Sequence, residues 1–288
     1  MTRPPPITAA QLLDLQTVEP DLFRSHHTQA NPAGALFGGQ VLAQGLAAAT
    51  RTVPGWPAHS LHGYFLRAGD AKLPVDYQVE RLRDGRRFAA RTVRASQDGR
   101  VIFHLHCSFH DPEPGNSHHQ PMPDDLPGPE ALLPLDTYVA SHADRLPDAT
   151  VANYTAPFPL ELRLVAPETY FFAAGQAPRR AFWVRLPSAA GTADRDQNAL
   201  LAFLSDYWLA GIAVGPGRLS TNSQQLSINS LDHAIWFHRP ARADEWLLYF
   251  CDTPSGGDGR GLARGLLYDQ SGRLVATTSQ EALFRDVG

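Results

Sequence analysis

The feature of this sequence that most constrains its fold is an internal repeat with a very long period. The stretch that begins "SLHGYFLRAGDAKLPVDYQVERL" at Ser60 corresponds block by block with the stretch that begins "SLDHAIWFHRPARADEWLLYF" at Ser230. Each copy holds an aromatic strand, a polar turn, two more strands, a tight turn ("QDGR" or "QSGR") and a final strand. A period this long excludes a solenoid and predicts a duplicated domain built of antiparallel meanders.

One helical segment precedes each predicted meander. The first is "FGGQVLAQGLAAATRTV", residues 37–53, and the second is "DQNALLAFLSDYWLAGI", residues 196–212. Both are apolar on nearly all sides, so each helix is expected to be enclosed rather than to lie on a surface. Each copy is therefore predicted to be one helix wrapped by a curved antiparallel sheet, an α+β architecture in which the two halves pack together.

A Pro-rich stretch without periodicity, "HDPEPGNSHHQPMPDDLPGPEALLPLD", lies between the two copies. Such a stretch is typical of a connector that crosses from one unit to the next. We expect an N-terminal repeat at residues 1–111, a connector at 112–155 and a C-terminal repeat at 156–288.

Composition excludes several classes of function. The 288 residues are 43% hydrophobic, which is enough for two cores, and the net charge of −4 comes without a basic stripe for nucleic acid. No apolar run reaches the ~20 residues that a membrane span needs, and the first residues lack a signal-peptide core. Two well-separated cysteines suggest buried, reduced thiols. The sequence thus predicts a cytoplasmic protein without nucleic-acid or membrane partners.

The stretch "NSLDHAIWFHRP" contains the side chains of a serine hydrolase, but not their usual arrangement. Ser230 lacks the G-x-S-x-G turn of a nucleophile elbow and lies at the start of a strand. Strand alternation also sends Asp232 and His233 to opposite faces, so both cannot serve Ser230. We expect His233 and His238 to be strand histidines bonded to backbone or to the neighbouring half.

A metal site is the next alternative, since "FHLHCSFH" places His104 and His106 on one face of a strand. Spacing of this kind can ligate a metal. However, no acidic or cysteine partner follows at a recognisable ligand spacing, and the second copy has Ala276 and Thr278 in the corresponding region. We therefore expect neither a metal nor an organic cofactor.

Two polar side chains are predicted to face the interior. Asp206 shares a helical stripe with apolar residues, and Gln280 shares a strand face with Ala276 and Phe284. Burying a carboxylate or an amide without partners is costly. Asp206 is thus either a structural ion-pair member or a catalytic base, and Gln280 is either a structural hydrogen-bonding residue or part of a site.

Taken together, the blocks "NPAGALFGGQVLAQ", "HSLHGYFLRAGD", "FLSDYWL", "SLDHAIWFHRP" and "GRGLARGLLYDQSGRLVATTSQEALFR" resemble the type II acyl-CoA thioesterases over nearly the whole chain. The resemblance implies a double-hotdog fold and hydrolysis of acyl-CoA. It also implies that an aspartate, a hydroxyl and a glutamine hold the hydrolytic water, and these match Asp206, Ser230 and Gln280. The family's best-known members have threonine where this chain has Ser230.

The comparison of the two halves leads to further expectations. The first half has no carboxylate that corresponds to Asp206, so we expect one hydrolytic site per chain. Gly38 and Gly39, at the start of the first helix, either stabilise an oxyanion or permit close packing of that helix against the sheet. Alternative functions are a hotdog enoyl/hydroxyacyl-CoA hydratase or dehydratase and a non-catalytic acyl-CoA-binding protein. Assembly into a homo-oligomer is also open.

Overall fold

The structure is a computed structural model that describes residues 5–31, 33–172, 179–214 and 226–286. The α-helices in these ranges are α1 (Ala9–Leu12), α2 (Gly38–Thr50), α3 (Leu135–Ser141), α4 (Asp148–Thr155), α5 (Glu168–Phe171), α6 (Asp194–Ser205) and α7 (Leu209–Ile212). The strands are β1 (Leu15–Glu19), β2 (Leu22–Ser25), β3 (Ala58–Phe65), β4 (Asp76–Asp84), β5 (Phe88–Gln97), β6 (Arg100–His110), β7 (Glu161–Leu164), β8 (Arg179–Arg185), β9 (Leu226–Ser230), β10 (Asp232–Phe237), β11 (Leu247–Gly257), β12 (Arg260–Asp269) and β13 (Leu274–Asp286).

The strands form one antiparallel sheet in which the two halves mirror each other. Its order is β1-β2-β4-β5-β6-β3-β10-β13-β12-β11-β8-β7, and β9 pairs separately with β13. At the centre β3 pairs with β10, so that Leu61 stands opposite Ile235. Six strands on each side of this junction repeat the same pattern. The predicted duplication and the α+β double-hotdog architecture are therefore confirmed.

The predicted meanders are wrong in one respect, because the first strand of each copy does not pair with the second. β3 pairs with β6, the last strand of its copy, and β10 pairs with β13. The segments that follow β3 and β10, residues 66–75 and 238–246, are far longer than a tight hairpin turn. They let the chain cross to the other side of the meander and leave β3 and β10 free to join the two halves.

The first predicted helix is confirmed, whereas the second ends earlier than predicted. Residues 39–50 of α2 are all buried, and α2 packs against α6 in the interior. α6 ends at Ser205, Asp206 is its C-cap, and Trp208 has a left-handed φ of 70° before α7 begins. That conformation costs a non-glycine residue about 1 kcal/mol or more. In this conformation the Trp208 side chain packs against Tyr154 and Phe182. An unbroken helix would direct that side chain elsewhere.

The predicted connector has two structurally different parts. Before α3, Met122 and Leu126 pack against Trp183 and Trp246 on the outer face of the C-terminal sheet. The later part contains α3 and α4, which the aperiodic sequence did not predict. The predicted bounds of the three segments remain a proposal.

Cys107 and Cys251 are both free and buried, as predicted, on β6 and β11. In the described ranges, none of the helices combines the length and the hydropathy needed to cross a bilayer.

Candidate active site

A cleft of about 1140 Å³ is lined by both halves of the chain and by the connector. Gly38 and Phe65 come from the first half, Tyr154 from α4, and Asp206 and Ser230 from the second half. Two of the three predicted site residues therefore line one cavity, and the third lies directly behind them.

Asp206 reaches the cleft from the carboxyl end of α6. It is only 8% exposed, and its Oδ1 accepts a hydrogen bond of 2.9 Å from Gln280 Nε2. Its Oδ2 faces the amino end of α2, since a Cβ added to Gly38 would lie 3.0 Å from that oxygen. One carboxylate oxygen is thus held by Gln280, while the other faces the start of the opposite helix.

Ser230 is the last residue of β9, which pairs with the end of β13. The chain breaks register at Leu231, whose N–H donates to Glu281 O on β13 and whose C=O accepts from Phe65 N. Ser230 Oγ accepts a 2.7 Å hydrogen bond from Gln280 Nε2. Because the hydroxyl oxygen is an acceptor there, its own hydrogen is free to point into the cleft.

Gln280 connects the other two residues from the middle of β13. Ala276, Thr278 and Ala282 on the same face of the strand are buried, and Gln280 itself has no exposed surface, which confirms the predicted inward face. Both hydrogens of its amide are used, one toward Asp206 and one toward Ser230. Its Oε1 has no hydrogen-bond partner among the described residues. Gln280 therefore fixes the position of the carboxylate relative to the hydroxyl.

The environment of Asp206 favours a carboxyl group that can change protonation state near neutral pH. Burial raises its pKa from the usual 3.8 to about 6, while the Gln280 amide and the Gly39 backbone N–H oppose that rise. In the described part of the chain, His233 is the only basic side chain within 4 Å of the carboxylate. The structural ion pair considered for Asp206 thus lacks an arginine or lysine partner.

His233 was expected to be bonded to backbone or to the other half, and this prediction is wrong. Its Nε2 lies 3.0 Å from Ser205 Oγ, and its Nδ1 lies 3.7 Å from Asp206 Oδ1. Burial lowers the pKa of His233 to about 4, so the ring is neutral at physiological pH. His238 likewise contacts a side-chain hydroxyl, that of Thr277, at 2.8 Å. The pairing of Ala234 with Ser279 places His233 beside Gln280, a neighbour that strand alternation alone could not identify.

Gly38 and Gly39 form the amino end of α2, where no side chain caps the helix. A Cβ on Gly39 would lie 2.7 Å from the backbone oxygen of Phe203, so this glycine permits close packing of α2 against α6. The packing alternative is therefore real, although the partner is a helix rather than the sheet. Free N–H groups at this end also favour negative charge nearby.

The other candidate residues lie away from the cleft or are already engaged. His104 and His106 stack edge to face at 5.0 Å, and no group of three potential ligands that could hold a metal is found in the described ranges. Arg67 lines the cleft, but its Nη1 already donates to the backbone oxygen of Val101 at 2.8 Å. The sequence missed the contribution of α3 and α4 to the cleft wall, since neither helix has a strong periodic signal.

Comparisons with known proteins agree with this architecture. One family model, the acyl-CoA thioesterase N-terminal domain, matches residues 26–110, and another, the acyl-CoA thioesterase C-terminal domain, matches residues 124–284. Human acyl-coenzyme A thioesterase 8 is 38% identical over 97% of this chain and 89% of its own length. Acyl-CoA thioesterase 2 of Haemophilus influenzae is 34% identical over 95% of this chain and 96% of its own.

Solved structures give the same result. The acyl-CoA thioesterase II TesB2 of Mycobacterium marinum superposes with a TM-score of 0.77 and 36% identity, covering 96% of this chain and 97% of that one. A hot-dog-fold protein of unknown function from Alicyclobacillus acidocaldarius has a TM-score of 0.75 at 18% identity, covering 97% of this chain and 99% of that one, and this likeness supports the fold alone. With family models over both halves and relatives above 30% identity over nearly the full length, the chain belongs to the type II acyl-CoA thioesterase family.

Proposed function

We propose that this chain hydrolyses acyl-CoA to a free fatty acid and CoA, using a water molecule activated by Asp206. The observation that carries the proposal is the single amide of Gln280 bonded to both Asp206 and Ser230 at the wall of one cleft. A buried carboxylate and a hydroxyl held at a fixed separation can orient one water between them. Membership of the family supports this reaction class.

The proposed reaction begins with attack of the water oxygen on the thioester carbonyl carbon. Asp206 accepts one proton from the water as the carbon–oxygen bond forms, and Ser230 donates its free hydrogen to orient the water. The tetrahedral intermediate then expels the CoA sulfur, which takes the proton back from Asp206. The products are a fatty acid and CoA thiol, and Asp206 returns to its ionised form.

The amino end of α2 would stabilise the negative charge that develops on the carbonyl oxygen. Gly38 lines the cleft, and the N–H groups of the first turn of α2 have no intrahelical acceptor. The Gly39 N–H also interacts with Asp206. Substitution of Gly39 would test this role poorly, because its Cβ would push α2 away from Phe203 whatever the chemistry.

Two other mechanisms fit the geometry less well. In the described ranges Ser230 has Gln280 as its hydrogen-bond partner and no histidine, so it lacks the base that a nucleophilic serine needs. A hydratase would be expected to use a histidine as its base, but His233 is fully buried and is absent from the cleft lining. The proposed reaction uses neither a metal nor an organic cofactor.

A product assay with the full-length protein tests this proposal. Saturated and 2-enoyl-CoA substrates are incubated with the enzyme while free thiol and enoyl absorbance are followed together. We expect thiol release from saturated acyl-CoA. A change in enoyl absorbance without thiol release would indicate a hydratase, and saturable binding without either signal would indicate a carrier.

A further inference from the structure

A second, smaller cavity of about 220 Å³ adjoins the cleft on the side of the second half. Most of the side chains that line it are apolar or aromatic. Leu146 lies just before α4, Tyr170 and Phe171 lie on α5, Ile212 lies on α7, and Ile228 lies on β9. A cavity with such walls is suited to an aliphatic group.

Three side chains are shared by the walls of the two cavities, namely Tyr154, Trp208 and Ile228. Trp208 is held there at the cost of a left-handed backbone conformation, and it packs edge to face on Tyr154 with ring centroids 5.6 Å apart. The two spaces are therefore neighbours that share one aromatic wall.

The residues of the shared wall lie close in sequence to those of the proposed reaction site. Trp208 lies two residues after Asp206, and Ile228 lies two residues before Ser230 on β9. Two residues of an extended strand span about 7 Å, the length of several methylene groups. A chain that leaves the thioester carbonyl between Asp206 and Ser230 thus meets the second cavity after a short distance.

We propose that the second cavity holds the distal methylene groups of long acyl chains and so sets the enzyme's preference for chain length. This inference rests on the proposed thioesterase function and adds a subsite to it. Each methylene removed from water improves binding roughly fourfold. Chains that extend past Trp208 gain this contribution, whereas short chains end within the main cleft.

Two arginines at the second cavity raise the alternative that part of CoA occupies it. Arg145 lies over the Phe172 ring at 4.1 Å, and Arg180 lies over the Tyr170 ring at 4.5 Å. Arg180 Nη1 also donates to the backbone oxygen of Thr169 at 2.7 Å. Because these cations are already placed against rings and backbone, the apolar walls favour the acyl chain.

Gly211 offers a clean way to fill the second cavity. It lines that cavity and is absent from the lining of the cleft, and a Cβ added to it meets no described atom within 4 Å. Because Gly211 lies in the helix α7, replacement by leucine also improves helix propensity. Gly115, in the connector, is equally open and is absent from both linings, so Gly115→Leu is a matched control.

The test measures kcat/KM for palmitoyl-CoA and hexanoyl-CoA in wild type, Gly211→Ala, Gly211→Leu and Gly115→Leu, together with inhibition by free CoA. We expect the palmitoyl/hexanoyl ratio to fall about tenfold or more in Gly211→Leu, less in Gly211→Ala and not at all in the control. Inhibition by CoA should not change.

An unchanged ratio in a folded, active Gly211→Leu variant would overturn the subsite while leaving the thioesterase proposal intact. Equal losses with both substrates together with weaker inhibition by CoA would also overturn it, since the cavity would then serve CoA. If wild type released no thiol from either substrate, the proposed function itself would fail.

Discussion

Arg51 and Asp206 occupy corresponding places in the two halves of the molecule, each being the C-cap of its long helix. Arg51 turns away from the interior and donates to the backbone oxygens of Leu13 and Leu15 at 2.9 and 2.6 Å. Asp206 instead remains buried beside Gln280. The same turn of backbone therefore supports a structural tie in one half and a candidate base in the other.

The difference continues along the sheet. In the first half Leu61 pairs with Cys107, whose thiol is buried and has its pKa raised to about 12. In the second half the corresponding places are taken by His233 and Gln280. The half that carries the proposed reaction thus differs from the other at these three positions rather than in its fold.

The amino ends of α2 and α6 differ in the number of acidic residues in their first turns. α6 begins with Asp194 and Asp196, which satisfy its positive end, whereas the first turn of α2 contains no acidic residue. The amino end of α2 therefore faces Asp206 with no acidic residue of its own, as the proposed stabilisation of an oxyanion requires.

The largest effect should come from exchanging the carboxylate at the C-cap of α6. Asp206→Asn should lower kcat by about two to four powers of ten and leave acyl-CoA binding largely unchanged, because it removes a base that acts in the transition state. The matched change in the other half, Arg51→Gln, should leave kcat within about twofold and lower stability only. Steady-state kinetics on both variants checks this. A comparable loss of rate in Arg51→Gln would mean that both helix ends contribute to catalysis.

A smaller effect is expected at Gln280, which is bonded to Asp206, and at Ser230, which is bonded to Gln280. Ser230→Ala and Gln280→Ala should each reduce kcat by about ten- to a thousandfold, since each loosens the position of one water. In the double variant the losses should combine to less than their sum in free energy, because both residues act on the same group. Cys107 is the counterpart of Gln280 in the first half, and Cys107→Ala should leave kcat unchanged. Full additivity in the double variant would show that Ser230 and Gln280 act separately.

The pH dependence of kcat should also arise from the second half alone. Because the working form of Asp206 is the anion and its pKa lies at about 6, kcat should fall about tenfold per pH unit below that value and level off above it. Gln280→Ala should move the midpoint upward, since the amide stabilises the anion. A pH–rate profile on each variant measures the shift. A midpoint that stays in place would indicate that another group limits the rate.

Much of this arrangement could be predicted from the sequence, because it depends on periodic patterns. The repeat, the buried helix α2 and the inward face of Gln280 all follow from the spacing of apolar residues along the chain. Family resemblance then identified Asp206, Ser230 and Gln280, and the structure brings them together.

Other features depend on tertiary packing that no local pattern records. The end of α6 at Ser205 follows from the packing of Trp208, whose aromatic contacts outweigh its strained backbone. The contact of His233 with Ser205 depends on the register of β10 against β13, which alternation alone does not fix. The pairing of β3 with β10 likewise requires knowledge of how the halves meet.

The most direct test of the central claim is the stability of Asp206→Asn at two pH values, measured together with its rate. Because burial raises the pKa of Asp206 from 3.8 to about 6, the folded state holds this proton more tightly than the unfolded state. Protonated Asp206 therefore stabilises the fold, and this stabilisation is complete below pH 3.8 and is lost as pH rises through about 6. Between pH 4 and pH 8, the free energy of unfolding of wild type should therefore fall by about 2 to 3 kcal/mol relative to that of the variant.

Denaturant unfolding of both proteins at pH 4 and pH 8 gives this difference, and constant contact effects of the substitution cancel between the two values. The account predicts that Asp206→Asn has a kcat lowered by about two powers of ten or more and gains stability relative to wild type between pH 4 and pH 8, as expected when a buried carboxylate is retained for function rather than for folding. A variant that is less stable at pH 8 by the same amount as at pH 4, and that keeps a near-normal rate, would contradict it.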